Sequence, residues 1–155
     1  MKTSQESLWL ENQLCFPLYA VSRMVTKLYT PFLEKLDITY PQYLVLLVLW
    51  KEDQITVSDI SEQLYLESNT LTPLLKRMEK KELICRERSK EDERKVVIAL
   101  TRKGQELQKE AECVPTSIIE QFKSDDVKAN EVVELKLTLN KLLNMFDRKL
   151  SEKTV

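Results

Sequence analysis

The chain has 155 residues, 43% hydrophobic and 32% charged, with a net charge of −1. That balance fits one helix-rich globular domain able to bury a core, and it excludes a disordered chain. Because the whole is not basic, any affinity for nucleic acid has to come from a local patch.

Two absences prune the chemistry. There is no histidine, so the commonest general base and metal ligand is missing, and a single glycine, Gly104, leaves neither a Walker loop nor a dinucleotide fingerprint. Cys15, Cys85 and Cys113 are too far apart for a CxxC pair. They are expected to be reduced thiols rather than a zinc site, so no metal and no cofactor are expected. The opening MKTSQESLWLENQ has no apolar signal core, and the longest apolar run, Leu44 to Trp50, is too short to span a bilayer. A cytoplasmic protein with no membrane contact is the expectation.

Taken in order, Leu8 to about Leu36 carries Leu14, Leu18, Val21, Val25 and Leu28 at helical spacing. Pro17 falls inside this helix and predicts a kink or a late start near Asn12. Thr39-Tyr40-Pro41-Gln42 has the pattern of a capping box opening a helix through Trp50. Thr56-Val57-Ser58-Asp59 opens a short one ending near Leu64. Ser68 or Asn69 is expected to cap a fourth, running to about Glu82. On it Leu71, Leu74, Leu75 and Met78 face the core, while Asn69, Pro73, Lys76 and Lys80, flanked by Thr72 and Arg77, face outward. Small polar residues followed by cations suit a helix lying in a major groove, although a solvated surface face would look the same.

Leu83 to Arg88 and Arg94 to Leu100 read as two strands joined by the polar turn Ser89 to Glu93. Between Lys76 and Lys103 there are eleven Lys or Arg against six Asp or Glu, a net +5, so the remainder of the chain must carry −6. Segregation of this kind is what phosphate contact requires. Thr101 is a plausible cap for a helix through Cys113, interrupted at Pro115. Ser124-Asp125-Asp126 is expected to open a last helix. Its apolar residues, Val132 to Phe146, cover more than one stripe, and the simplest cover for them and for the first helix is a second copy of the chain. Packing within one chain is the alternative.

The stretch SNTLTPLLKRMEKKELICRERSKEDERKVVIALTRKG, from Ser68 to Gly104, resembles the MarR family of bacterial winged-helix regulators, with Asp92-Glu93-Arg94 matching its D-x-R wing tip. LENQLCFPLYAVSR, LYTPFLEKLDITYPQYLVLLVLW and LYLESNTLTPLL are similar to its OhrR branch, the organic-hydroperoxide-sensing repressors. The resemblance is strong over about residues 10–104 and covers the last helices only in character. It implies a mainly α fold with a small β-wing, a winged helix-turn-helix that dimerises through its N- and C-terminal helices. Residues 1–155 would form a single domain, with DNA binding in 39–100 and dimerisation in 8–38 and 101–150. Ser68, Asn69, Thr70, Thr72, Pro73, Lys76 and Arg77 would enter the groove, and Arg86, Arg88, Asp92, Arg94 and Lys95 would serve the wing. The partner would be a pseudo-palindromic double-stranded operator.

The resemblance further implies that Cys15 is the peroxide-sensing thiol, hydrogen-bonded by Tyr29 and Tyr40 of a second subunit. Its oxidation to sulfenate, then to a disulfide or beyond, would release DNA. Tyr19 lies one turn from Cys15 on the same face, whereas Tyr29 is fourteen residues away, roughly 21 Å along a straight helix. A site using both must therefore straddle two subunits. Cys113 is a candidate resolving thiol, a low-molecular-weight thiol is the other, and Cys85 reads as core filler. Asn69 stands where the branch has glycine, Glu67 where it has aspartate, and Pro17 lies two residues past the sensor. Two other functions remain open at this stage. One is a MarR-type regulator answering a small aromatic acid with Cys15 incidental, and the other is a thiol peroxidase using Cys15 with Arg23 and Glu11.

Overall fold

The computed structural model describes residues 5–89, 91–122 and 127–152, and the chain divides into two units, residues 1–114 and 115–155. In the first unit the expected long N-terminal helix is split. Two one-turn 3-10 helices, Glu6–Leu8 and Leu10–Asn12, precede α1, which runs Cys15–Leu33. Pro17 accounts for the late start. As the third residue of α1, its missing N–H falls among the donors that have no intrahelical partner in any case. A 3-10 turn, Glu34–Leu36, follows, and Asp37 reverses the chain at φ 52°.

α2 (Tyr40–Lys51) and α3 (Val57–Leu64) start where their capping boxes place them. The Thr39 N–H donates to Gln42 Oε1 at 2.9 Å, and the Thr56 N–H to Asp59 Oδ2 at 2.9 Å. α4 spans Ser68–Lys80, so its cap is Glu67 and not Ser68 or Asn69. It stops two residues short of Glu82, whose φ of 59° turns the chain out of the helix. Leu71, Leu74, Leu75 and Met78 are buried as the 3.6-residue period requires, against a core that includes Leu46, Leu49 and Ile60.

The sheet has three strands, one more than the sequence suggests. β1 (Ile55–Thr56), β2 (Ile84–Arg88) and β3 (Val96–Leu100) pair antiparallel in the order β1-β3-β2, with Ile55 opposite Ile98 and Arg86 opposite Ile98 on its other side. β1 is two residues long and merges into the cap of α3, too short for any period to show. α5 (Arg102–Ala111) is capped by Thr101, whose Oγ1 accepts from the Gly104 N–H at 3.1 Å. Only glycine fits at 104, since a Cβ there would lie 2.1 Å from the Leu83 carbonyl oxygen.

α5 ends before Cys113 instead of running through it. Pro115 does not interrupt a helix; it sits in the first turn of the next, α6 (Val114–Gln121), where proline is tolerated. In the second unit the expected opening at Ser124-Asp125-Asp126 lies outside the described residues. α7 (Ala129–Ser151) follows Lys128, whose N–H donates to Glu131 Oε2 at 2.8 Å. No residue of α7 is buried; Val133, Leu135, Leu137, Leu143 and Phe146 are exposed. Among the described residues no helix is long and apolar enough to cross a membrane.

Candidate DNA-binding face and thiol site

Burying one stripe of α4 leaves the other open. Ser68, Asn69, Thr70, Pro73, Lys76 and Arg77 are exposed and Thr72 is half-buried. Pro73 carries no N–H for the Asn69 carbonyl, and it is tolerated on this outward side. The first turn is organised by side chains. Thr70 Oγ1 donates to Asn69 Oδ1 at 3.2 Å, and Asn69 Nδ2 donates to Glu67 Oε2 at 3.1 Å. The two departures from the OhrR pattern therefore touch each other. Hydroxyls and an amide at the helix start, with cations about two turns later, can meet base edges and phosphates respectively.

The wing tip is a closed turn. The Ser89 N–H donates to the Lys95 carbonyl and the Lys95 N–H to the Asp92 carbonyl, both at 2.9 Å. Asp92 Oδ1 accepts from the backbone N–H of Arg94 at 3.1 Å. The acid thus fixes the backbone of the arginine two residues on, and Arg94 is exposed at the tip with Arg88 and Lys95 nearby in sequence and also exposed. Arg86 behaves differently. Its side chain is 21% exposed, Nη1 lies 3.6 Å from Glu79 Oε2, and Nε is buried without a hydrogen-bond partner. It is turned inward, against the expectation that it faces DNA with the others.

The thiol candidates separate just as clearly. Cys15 is exposed as the first residue of α1, at the positive end of the helix dipole. Tyr19 is exposed, and its hydroxyl accepts from Arg23 Nη1 at 3.4 Å. Tyr29 and Tyr40 meet with ring centroids 4.7 Å apart, Tyr29 and Tyr43 at 5.9 Å, and Tyr43 and Trp50 at 6.2 Å. α1 is continuous, so Cys15 and Tyr29 of one chain stay about 21 Å apart. Burial raises the phenol of Tyr40 above its ordinary value, and burial followed by the charge of Tyr40 raises that of Tyr29. Both hold their protons and can donate hydrogen bonds at neutral pH.

Tyr43 was missed in the sequence. Its position three residues after Tyr40 on one helix was the available signal. Burial chiefly, then Tyr29, Tyr40 and Cys113, raises its phenol. Cys113 is exposed, and its thiol donates to the Glu110 carbonyl at 3.8 Å. Cys85 is half-buried in the sheet, donating to the Ala99 carbonyl at 3.6 Å, which suits a filler. Beside Tyr40 a cavity of 280 Å³ is lined by Thr26, Thr30, Leu33, Glu34 and Ile38 among others. Among the described residues its one charged lining side chain, Glu34, is acidic. Among the described residues no cluster of carboxylates and thiols could hold a metal ion.

Residues 27–111 match the family model of the SarA/Rot transcriptional regulators. The chain belongs to that family. It is 49% identical over 149 residues to the organic hydroperoxide resistance transcriptional regulator of Bacillus subtilis (strain 168), a match covering 96% of this chain and 99% of the relative. Reduced AbfR bound to DNA superposes with a TM-score of 0.76 at 38% identity, covering 96% of this chain and 99% of that one. AbfR is a Staphylococcus epidermidis protein. Its disulfide form superposes with a TM-score of 0.59 at 42% identity, covering 90% and 96%. The chain is a winged-helix transcriptional regulator of the MarR type, similar to organic hydroperoxide resistance regulators, and not an enzyme.

Proposed function

We propose that two copies of this chain form a cytoplasmic repressor that holds a pseudo-palindromic operator and releases it when an organic hydroperoxide oxidises Cys15. Support for the dimer comes from the exposed apolar residues of α1 and, separately, of α7. Leu14 is 92% exposed and Leu18, Val21 and Met24 are about half-exposed or more, which is unusual for residues that water would rather exclude. The observation that carries the sensor reading is the gathering of Tyr29 and Tyr40, proton-bearing donors, at the opposite end of α1 from the exposed Cys15. An antiparallel pairing of two α1 helices about a two-fold axis would set Cys15 of each copy beside the phenols of the other.

The chemistry closes without a cofactor. The Cys15 sulfur attacks the terminal peroxide oxygen, an S–O bond forms as the O–O bond breaks, and the alkoxide leaves with a proton as alcohol. Sulfur loses two electrons and the peroxide gains them. The phenols hydrogen-bond the sulfur. The sulfenic acid then condenses with a thiol, expelling water and forming a disulfide. Cys113 of the partner subunit, exposed just past the end of α5, is one candidate thiol; a low-molecular-weight thiol is the other. The groove face from Ser68 to Arg77 and the wing residues Arg88, Asp92, Arg94 and Lys95 would hold the operator. A small aromatic acid as effector is disfavoured by the cavity beside Tyr40, where Glu34 is the only charged lining residue among the described ones.

The test uses a duplex selected by the wild-type protein from a random pool. Cumene hydroperoxide is expected to release it from wild type and not from Cys15→Ser, while intact mass identifies the product. Release from Cys15→Ser at the wild-type dose would end the sensor reading. Mass also separates the two resolving routes, as a covalent dimer through Cys113 or an added small thiol.

A further inference from the structure

Arg86 is the wing arginine that does not reach outward. It lies on β2, opposite Ile98 of β3, the strand that returns from the wing tip. Its guanidinium points back to Glu79 in the last turn of α4, at 3.6 Å, with 21% of the arginine side chain and 42% of the glutamate side chain exposed. Its Nε is buried and unpartnered, so the group is held here at some cost in hydration. Along the backbone, α4 and β2 are joined only through Lys81, Glu82 and Leu83, where the Leu83 N–H donates to the Met78 carbonyl at 3.1 Å. That turn sets where the wing begins. The Glu79–Arg86 pair is a further tie two residues along β2 from Ile84, outside the buried packing of α4 against the start of that strand, and it adds a polar clamp where the wing leaves the core.

We propose that Arg86 is a positioning residue: through Glu79 it braces the wing against the recognition helix, so that Arg94 at the tip and the α4 face address one operator together. It touches no phosphate itself. The proposal rests on the DNA-binding face described above.

Charge and brace make opposite predictions for Glu79→Gln. This substitution removes a negative charge from a segment of net +5, and phosphate attraction alone would tighten binding. The brace requires weaker binding, by roughly ten-fold for a coupling between neighbours. Binding of the full chain to the selected duplex is measured by fluorescence anisotropy across a salt series. Arg86→Met is expected to weaken binding with an unchanged slope of log affinity against log salt, whereas Lys76→Ala should lower that slope by about one. Combining Arg86→Met with Arg94→Ala should cost no more than the stronger single change, because a wing at the wrong angle has already lost its tip contact. Thermal melts check folding; should Arg86→Met fail to fold, Glu79→Gln decides alone. Tighter binding by Glu79→Gln, or a slope lowered by about one in Arg86→Met with additive loss alongside Arg94→Ala, would overturn the brace. If Lys76→Ala and Arg94→Ala both bind as wild type, the DNA-face assignment itself fails, and the brace with it.

Discussion

The half proposed to read DNA and the half proposed to sense oxidant are finished to different degrees within one chain. Around α4 the core is closed: Ile60, Leu71, Leu75 and Met78 are fully buried, and the polar residues left outside are those a duplex can use. At the start of α1 and along α7 the apolar residues face outward, and the thiol of the proposed switch stands at one end of α1 while Tyr29, with Tyr40 of α2 packed on it, lies towards the other. A single chain thus completes its output device but not its input. The largest predicted contrast follows. Leu75→Ala should cost about 2–5 kcal/mol of stability by opening a cavity. Leu18→Glu, on the exposed side of α1, should leave the fold of one chain intact while abolishing the dimer in sedimentation. An equal loss of thermal stability in both would erase the distinction between the two halves.

Next in size is the wing tip. Arg94→Ala is expected to lose about 1–3 kcal/mol of operator binding, through one contact in the groove. Cys15→Ser should leave the affinity of the reduced protein unchanged, since it belongs to the other half. Anisotropy titrations of both variants check this. Loss of operator affinity by reduced Cys15→Ser would mean that the halves are not separable as drawn.

Much of the DNA-reading half was legible because it obeys local rules. Alternating burial on α4, the Thr39 and Thr56 boxes and the polar wing turn are all set by residues within a few positions of one another. Where that reading went astray, a non-local partner or a single residue decided. Glu67 takes the N-cap position of α4 without a side-chain capping bond, and β1 exists only because β3 comes to lie beside it. Arg86 looks in sequence like any wing arginine, and only its packing against Glu79 turns it inward. In the sensing half, fourteen residues of helix between Cys15 and Tyr29 showed that one chain could not suffice. The Tyr29–Tyr40 contact and the part played by Tyr43 required α1 and α2 to be placed together in space.

The phenols offer a gentler probe of that cluster. Tyr29, Tyr40 and Tyr43 all have folded-state values raised above 10.0. The folded protein therefore binds their protons more tightly than the unfolded chain does. The stabilisation is fully present below pH 10 and is lost as pH rises through the raised values. Stability should accordingly fall above about pH 10, and Tyr43→Phe should flatten the fall by removing one titrating member. Urea midpoints at a series of alkaline pH values measure it. An unchanged slope for Tyr43→Phe would place the titrating groups elsewhere.

The smallest effect lies at the junction of α4 and the wing, where the DNA-reading half is itself imperfect. With one glycine in the chain, the left-handed turns among the described residues fall to Asp37, Gln54, Tyr65 and Glu82, at φ between 52° and 60°. A side chain there carries a steric cost of about 1–2 kcal/mol that glycine avoids, offset by glycine's extra freedom in the unfolded chain. Glu82→Gly should therefore stabilise by about 0.5–1 kcal/mol and raise the melting temperature by a few degrees. The Glu82 carbonyl still accepts from Thr101 Oγ1 and its N–H still donates to the Glu79 carbonyl, since neither bond uses the side chain. Operator binding should keep its Kd to within the gain from deleting one acidic charge. A melting temperature that falls instead would mean the glutamate side chain makes up for its own strained backbone, and that the turn between recognition helix and wing is held by more than its main chain.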